Sequence, residues 1–132
     1  MTRFALLSCY LASLAAAASN PVLVDLQDIV KSGNTYDGIT ISINACAHVS
    51  KHGMYLSPCG KRAPILLLFG RANSVVGEAY AAAGQTFNEP LRATFIGVCR
   101  TSYPFRDQYD QQRIGQVLLL ESLVNPSVKH GP

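Results

Sequence analysis

Beyond its first eighteen positions, this 132-residue chain has no stretch approaching the ~20 apolar residues that a membrane-spanning helix needs. No membrane span is therefore expected after them. Basic runs are also missing. The formal net charge is only +3 and Arg100, Arg106 and Arg113 are scattered, too little for the electrostatic footprint or basic groove of a nucleic-acid-binding protein. Catalytic signatures are absent too: there is no G-x-S-x-G, no H-E-x-x-H, no P-loop and no G-x-G-x-x-G. Aspartate and glutamate total eight, and the pairs close in sequence suit other roles. Asp25 and Asp28 fit the polar side of a helix, and Asp107 and Asp110 a solvated loop. A cysteine nucleophile would need a histidine base and an orienting group, and Cys46 near His48 carries no such signature. The expectation is a non-enzyme without a cofactor.

What is present begins with an export pattern. Met1-Thr2-Arg3 is a short basic start, Phe4 to Leu14 an apolar run, and Ala15 to Ala18 a small-residue cleavage region. That order is the one found in secretory signal peptides. A lipoprotein reading of Leu6-Leu7-Ser8-Cys9 fails because the apolar run continues past Cys9 through Leu14. Cleavage after Ala18 assigns residues 1–18 to the signal and 19–132 to a single domain, secreted or periplasmic. It removes Arg3 and Cys9, leaving Cys46, Cys59 and Cys99.

Periodicity then sets the elements. Val22, Leu23, Leu26, Ile29 and Val30 recur at helical spacing, with Lys31-Ser32-Gly33-Asn34 closing a short helix. Tyr36-Asp37-Gly38 is a turn. From Ile39 to Val49 the alternation is strict, with Ile39, Ile41, Ile43, Ala45, Ala47 and Val49 on one face and Thr40, Ser42, Asn44, Cys46 and His48 on the other. This predicts a half-buried strand. Ser50-Lys51-His52-Gly53 turns the chain into a return strand, Met54 to Ser57, which Pro58 ends. Ile65 to Phe69 is a continuous apolar run, suiting a strand buried on both faces. Asn73 or Ser74 caps a helix with the stripe Val75, Ala79, Ala82 and Ala83, stopped by Gly84. Leu91 to Val98 and Gln116 to Val124 read as strands, with Tyr103 to Arg113 a long hairpin loop between them. The whole predicts a mainly β, five-stranded OB-fold-like Greek-key barrel. A short helix precedes it, and another lies between strands 3 and 4.

Leu26-x-x-Ile29 before Tyr36-Asp37-Gly38, the strand Ile39-Thr40-Ile41-Ser42-Ile43, and Tyr55-Leu56-Ser57-Pro58-Cys59 together form a recurring pattern. With Ala93-Thr94-Phe95-Ile96-Gly97 and Leu118-Leu119-Leu120-Glu121, the chain resembles small secreted bacterial proteins with an OB-fold-like domain, largely uncharacterised. The resemblance implies a fold and a compartment, and no activity. Some such proteins carry a cysteine before the first helix, where this chain has Val24-Asp25-Leu26.

An oxidising compartment favours one structural disulfide. Cys46 and Cys59 flank the first hairpin and can join across it; Cys99, at the end of the fourth strand, is the alternative partner. A second reading takes Cys46, His48, His52 and Cys59 as a zinc or copper site, or as a redox sensor. Their C-x-H-x3-H-x6-C spacing matches no recognised zinc module. Binding is the remaining class of function. OB folds take ligands on the face of their second and third strands and on the flanking loops. The candidates there are Tyr55 and, in the aromatic loop, Tyr103, Phe105, Arg106 and Tyr109, residue types that dominate interface hot spots. The partner is a protein or a small ligand, and an inhibitor or immunity-type protein is one specific form of this role.

Overall fold

The computed structural model describes residues 20–128; the signal-peptide assignment to residues 1–18 lies outside them. The fold is mainly β, 51% strand against 17% helix. In chain order the elements are β1 (Val22–Leu23), α1 (Leu26–Lys31), β2 (Thr40–Ser50), β3 (Gly53–Ser57), β4 (Leu66–Gly70), α2 (Ala72–Ala83), β5 (Leu91–Arg106) and β6 (Gln112–Val128). The strands form one mixed sheet in the order β1-β2-β3-β4-β6-β5, and β2 additionally pairs with β5. The pairings thus return to β2. All are antiparallel except β4 with β6 and the short β1 with β2.

Strand β2 is long enough to serve two neighbours. Thr40 to Ala47 pair with Val98 to Leu91 of β5, while Cys46 to Ser50 pair with Ser57 to Gly53 of β3. Its alternation holds over the middle of the strand, where Ile41, Ile43, Ala45 and Ala47 are buried, Thr40 and Ser42 half-buried and Asn44 exposed. It breaks at the ends of the expected run, since Ile39 precedes the strand and is exposed and Val49 is half-buried, and Cys46, expected on the polar face, is buried. Leu91, Ala93, Phe95 and Cys99 of β5, Leu66 and Leu68 of β4, and Leu118 and Leu120 of β6 complete the core. Phe95 is fully enclosed, worth about 1.5–3 kcal/mol relative to exposure.

The helices close the core. Asp25 caps α1, its carboxylate accepting from Gln27 N, and Leu26 and Ile29 are buried. In α2 the buried side chains are Ala72, Val76, Ala79 and Tyr80. This corrects the expected stripe, since Val75 is half-buried and Ala82 and Ala83 are exposed. The alanine count hid Tyr80, which fills the volume that the alanines leave and whose hydroxyl donates to the Glu89 carbonyl. Neither Asn73 nor Ser74 caps α2. The helix begins at Ala72, and the Ser74 hydroxyl donates back to Arg71 O. Gly84 does end it, in a left-handed conformation.

Three further expectations are corrected. Among the described residues there are six strands, because Val22–Leu23 is a short strand beside β2 rather than the start of the helix. The run through Phe69 is buried on one face only: Leu66 and Leu68 point to the core, while Leu67 and Phe69 are half-buried on the other side. Finally, most of Tyr103–Arg113 is strand, with only residues 107–111 in the loop. Among the described residues no helix is long and apolar enough to cross a membrane.

Candidate functional site

The β5–β6 hairpin outgrows its neighbours. Strand β2 follows β5 only as far as Val98, and β4 joins β6 only from Val117 onward. Beyond those points the two strands pair only with each other, from Tyr103 with Gly115 to Arg106 with Gln112. The register shifts by one residue between Arg100 and Tyr103, and an extra residue on one strand bends a ribbon. The bend is large. Phe69 of β4 lies opposite Leu119, yet its ring meets Tyr103 and Phe105, whose β6 partners are Gly115 and Arg113. Both ring pairs have centroids 5.5 Å apart and are tilted, a favourable arrangement worth about 0.5–1.5 kcal/mol per pair beyond area burial. The ribbon therefore folds back over the outer face of β4 and is pinned there by aromatic packing.

Its tip is ordered by one carboxylate. Asp107 Oδ2 accepts from Arg113 Nε at 2.8 Å, and Oδ1 accepts from Gln111 N at 3.0 Å and Tyr109 N at 2.9 Å. The Arg113 bond first, and the two backbone bonds with it, hold the Asp107 carboxyl below its usual range. Arg106 Nη1 donates to Asp110 O at 2.9 Å, across a turn in which Asp110 has φ 60°.

Between ribbon and sheet lies a cleft of ≈ 380 Å³. Met54, Leu67 and Phe69 supply apolar lining from β3 and β4, Gly53 opens β3 beside His52 of the β2–β3 turn, and Phe105 to Tyr109 with Arg113 come from the ribbon. An apolar floor with a few polar groups at the rim is the usual make-up of a ligand cleft.

The sequence candidates are only partly brought together. Phe105, Arg106 and Tyr109 line the cleft, Tyr109 standing 73% exposed at its mouth. Tyr103 packs on Phe69 without lining the cleft. Tyr55 is elsewhere, its ring stacked on His48 with centroids 5.0 Å apart. Sequence reasoning missed Met54, Leu67, Phe69 and Arg113. The available signal was the step from Leu66 and Leu68 to Leu67 and Phe69, which a continuous apolar run conceals.

Cys46 and Cys59 are joined as a disulfide, Cα–Cα 5.0 Å, across the hairpin. Both thiols of the metal reading are thereby engaged in a covalent bond. His48 Nε2 hydrogen-bonds across 2.8 Å to the hydroxyl of buried Ser57, and His52 lies apart at the turn. Among the described residues no three His, Cys, Asp or Glu side chains converge as metal ligands. Cys99 is a buried free thiol. Burial first, then the nearby Asp37 charge, pushes its pKa up against a hydrogen bond with Gln116, so it stays protonated and unreactive.

Compared with protein-family models, curated proteins and solved structures, the chain matches none. The geometry of its own side chains carries the functional argument.

His48 provides a test of the hairpin. Burial pushes its imidazole below the ordinary value near 6.5, because the charged form is poorly solvated there. The stability that neutral His48 contributes is present above the unfolded value and lost as pH falls from there through the lower folded value. The urea midpoint is therefore expected to drop below about pH 6.5, and to drop less in His48→Gln, which retains a partner for Ser57. An identical pH profile in the variant would refute the assignment.

Proposed function

We propose that the protein is an exported, non-catalytic binding protein whose OB-fold-like barrel presents the ribbon cleft to a protein or small ligand. The barrel reading is supported by the pairing circuit β2-β3-β4-β6-β5-β2, with its single parallel step from β4 to β6 and α2 between β4 and β5. Export is supported by the pattern of residues 1–18, and the disulfide and free, buried Cys99 are compatible with it. One observation carries the binding reading. In this scheme β3 and β4 are the second and third barrel strands, and the β2–β3 turn and the 107–111 loop are the two that flank an OB-fold ligand face. The cleft is lined by those four parts together with Phe105, Arg106 and Arg113 of the adjoining ribbon strands. Its half-buried aromatic floor and arginine-bearing rim have the composition of an interaction hot spot, and a partner inhibited by or bound to this surface would make the protein inhibitor- or immunity-like.

Phe69→Ala is expected to abolish ligand recovery, since it removes both the cleft floor and the support of the ribbon. Arg106→Ala, on the exposed rim, separates binding from folding. Partners co-purified with the exported protein, together with thermal shifts against a small-molecule panel, provide the readout. Recovery by both variants equal to wild type, with circular dichroism unchanged, would exclude the cleft as the binding site.

A further inference from the structure

At the end of β5 remote from the ribbon, the sheet carries a second, polar concavity. Three strands meet there: Asn44 of β2 pairs with Thr94 of β5, Cys46 of β2 with Arg92, and Arg92 in turn with Ser127 of β6. Between Arg92 and Thr94 the β5–β6 register shifts, so that Asn125 and Pro126 together stand opposite the single residue Ala93. In a regular ladder the residue facing Ala93 would follow it toward the core, where Ala93 is buried. The extra residue instead leaves Asn125 at the surface, with φ 54°, a left-handed backbone that asparagine tolerates better than most side chains.

Two hollows of ≈ 500 and ≈ 520 Å³ lie here, and Arg92 and Cys59 line both. Asn44, Thr94 and Asn125 add polar groups to the first and Ser127 to the second. The Cys46–Cys59 bond fixes the wall beside Arg92. Among the described residues no aromatic or large aliphatic side chain lines either hollow, so a stacking ring or apolar body has little to pack on. Charge is one-sided as well. Arg100, Arg106 and Arg113 each have a carboxylate partner. Arg92 is exposed and, among the described residues, its guanidinium has neither an ion pair nor a hydrogen bond. None of the chain's eight carboxylates lines either hollow. The Thr94 hydroxyl donates to Asn44 Oδ1, which orients that amide and leaves its Nδ2 hydrogens free to donate elsewhere.

We propose that this concavity binds the oxyanion group, carboxylate or phosphate, of a small oxygen-rich ligand. Arg92 supplies the charge, and its planar fork of N–H donors matches two oxygens of such a group. The Asn44 amide, with Asn125 and Ser127, supplies neutral donors for the remaining oxygens. Because Arg92 has no carboxylate to give up, an incoming anion breaks no existing ion pair. A cation would meet a like charge without a counter-charge in the lining. The site shares no residue with the ribbon cleft and is independent of what the cleft binds.

Backbone amide shifts of the protein, followed by NMR during titration with inorganic phosphate and separately with citrate, provide the test. Constant ionic strength keeps general screening fixed. Saturable shifts are expected at Arg92, Thr94, Asn125 and Ser127, and not at Tyr109 in the ribbon loop. Arg92→Gln is expected to weaken binding about tenfold or more, as losing a charge-assisted hydrogen bond does. It is expected to melt like wild type, because the side chain it replaces is exposed and unpartnered. Arg92→Lys keeps the charge without the fork and is expected to fall between the two. Arg71→Gln, at an exposed arginine beside α2, is expected to bind like wild type. Saturation by one probe alone supports the site and tells which oxyanion it takes. Shifts that saturate with neither probe, or that saturate equally in Arg92→Gln, overturn the proposal. So does equal weakening by Arg71→Gln, which would mean attraction to net charge rather than to this site.

Discussion

Gly97→Ala is expected to destabilise the domain by about 3 kcal/mol or more, the upper end of what overpacking a core produces. Gly97 is buried in β5 where the register with β6 shifts between Ile96 and Gly97. A Cβ added there would lie 2.3 Å from Leu119 O, 2.9 Å from Leu119 C and 3.0 Å from Leu120 Cα. All three are backbone atoms of β6, so no side chain can rotate away. Relief requires β5 and β6 to part at the point where β4 also joins β6. A loss of that size is a large fraction of the ~5–15 kcal/mol that holds a typical domain folded. Gly77→Ala is the natural control. That glycine lies inside α2 with nothing within 4 Å of its added Cβ, so alanine is expected to stabilise by about 0.5–1 kcal/mol through helix propensity alone. Urea denaturation of the pair decides the matter: equal midpoints for Gly97→Ala and wild type would mean that the strands are not in such close approach.

Removing the disulfide is expected to have an effect of similar size. Cys46 and Cys59 are separated by 13 residues, and opening a loop of that length restores conformational freedom to the unfolded chain worth about 3 kcal/mol. The bond ties the end of β3 to the part of β2 that also pairs with β5, so it bridges two stretches of the strand circuit. The double variant Cys46→Ala/Cys59→Ala is preferable to serine, because Cys46 is buried and a hydroxyl there would need a partner. Reductant added to wild type is expected to lower the urea midpoint by the same amount as the double variant. Reduced and oxidised wild type with a common midpoint would mean that the bond contributes no net stability.

The parts of this fold that were readable in the sequence are those where one physical demand acts alone. Strand β2 has a core on one side and a wetter face on the other, so Ile41 and Ile43 alternate cleanly with Thr40 and Ser42. The first hairpin and the Gly84 stop follow from turn and capping chemistry, and the nearness of Cys46 to Cys59 followed from the hairpin, although the sequence left Cys99 open as a partner. The ribbon was not readable because two demands overlap on it. Tyr103 and Phe105 pack on β4 while Ser102, Pro104 and Arg106 face water, which produces a polar and aromatic mixture resembling a loop. Pro104 strengthened that impression, yet it sits where the ladder asks for no N–H. The candidate site was legible at its rim, in Phe105, Arg106 and Tyr109. Its floor was hidden, because Leu67 and Phe69 are embedded in an apolar run whose alternate members, Leu66 and Leu68, enter the core.

The burial of Cys99 has a consequence for how the molecule matures. Among the three described cysteines, Cys46, Cys59 and Cys99, the observed bridge closes the shortest of the three possible loops. Chain statistics therefore favour it in the race among encounters before anything has folded. Once β5 and β6 close over Cys99, its thiol is both protonated and enclosed, and thiolate attack on the bridge is shut off. The core therefore guards the bridge it is built around: with Cys46 joined to Cys59, the remaining described cysteine is held out of reach of exchange.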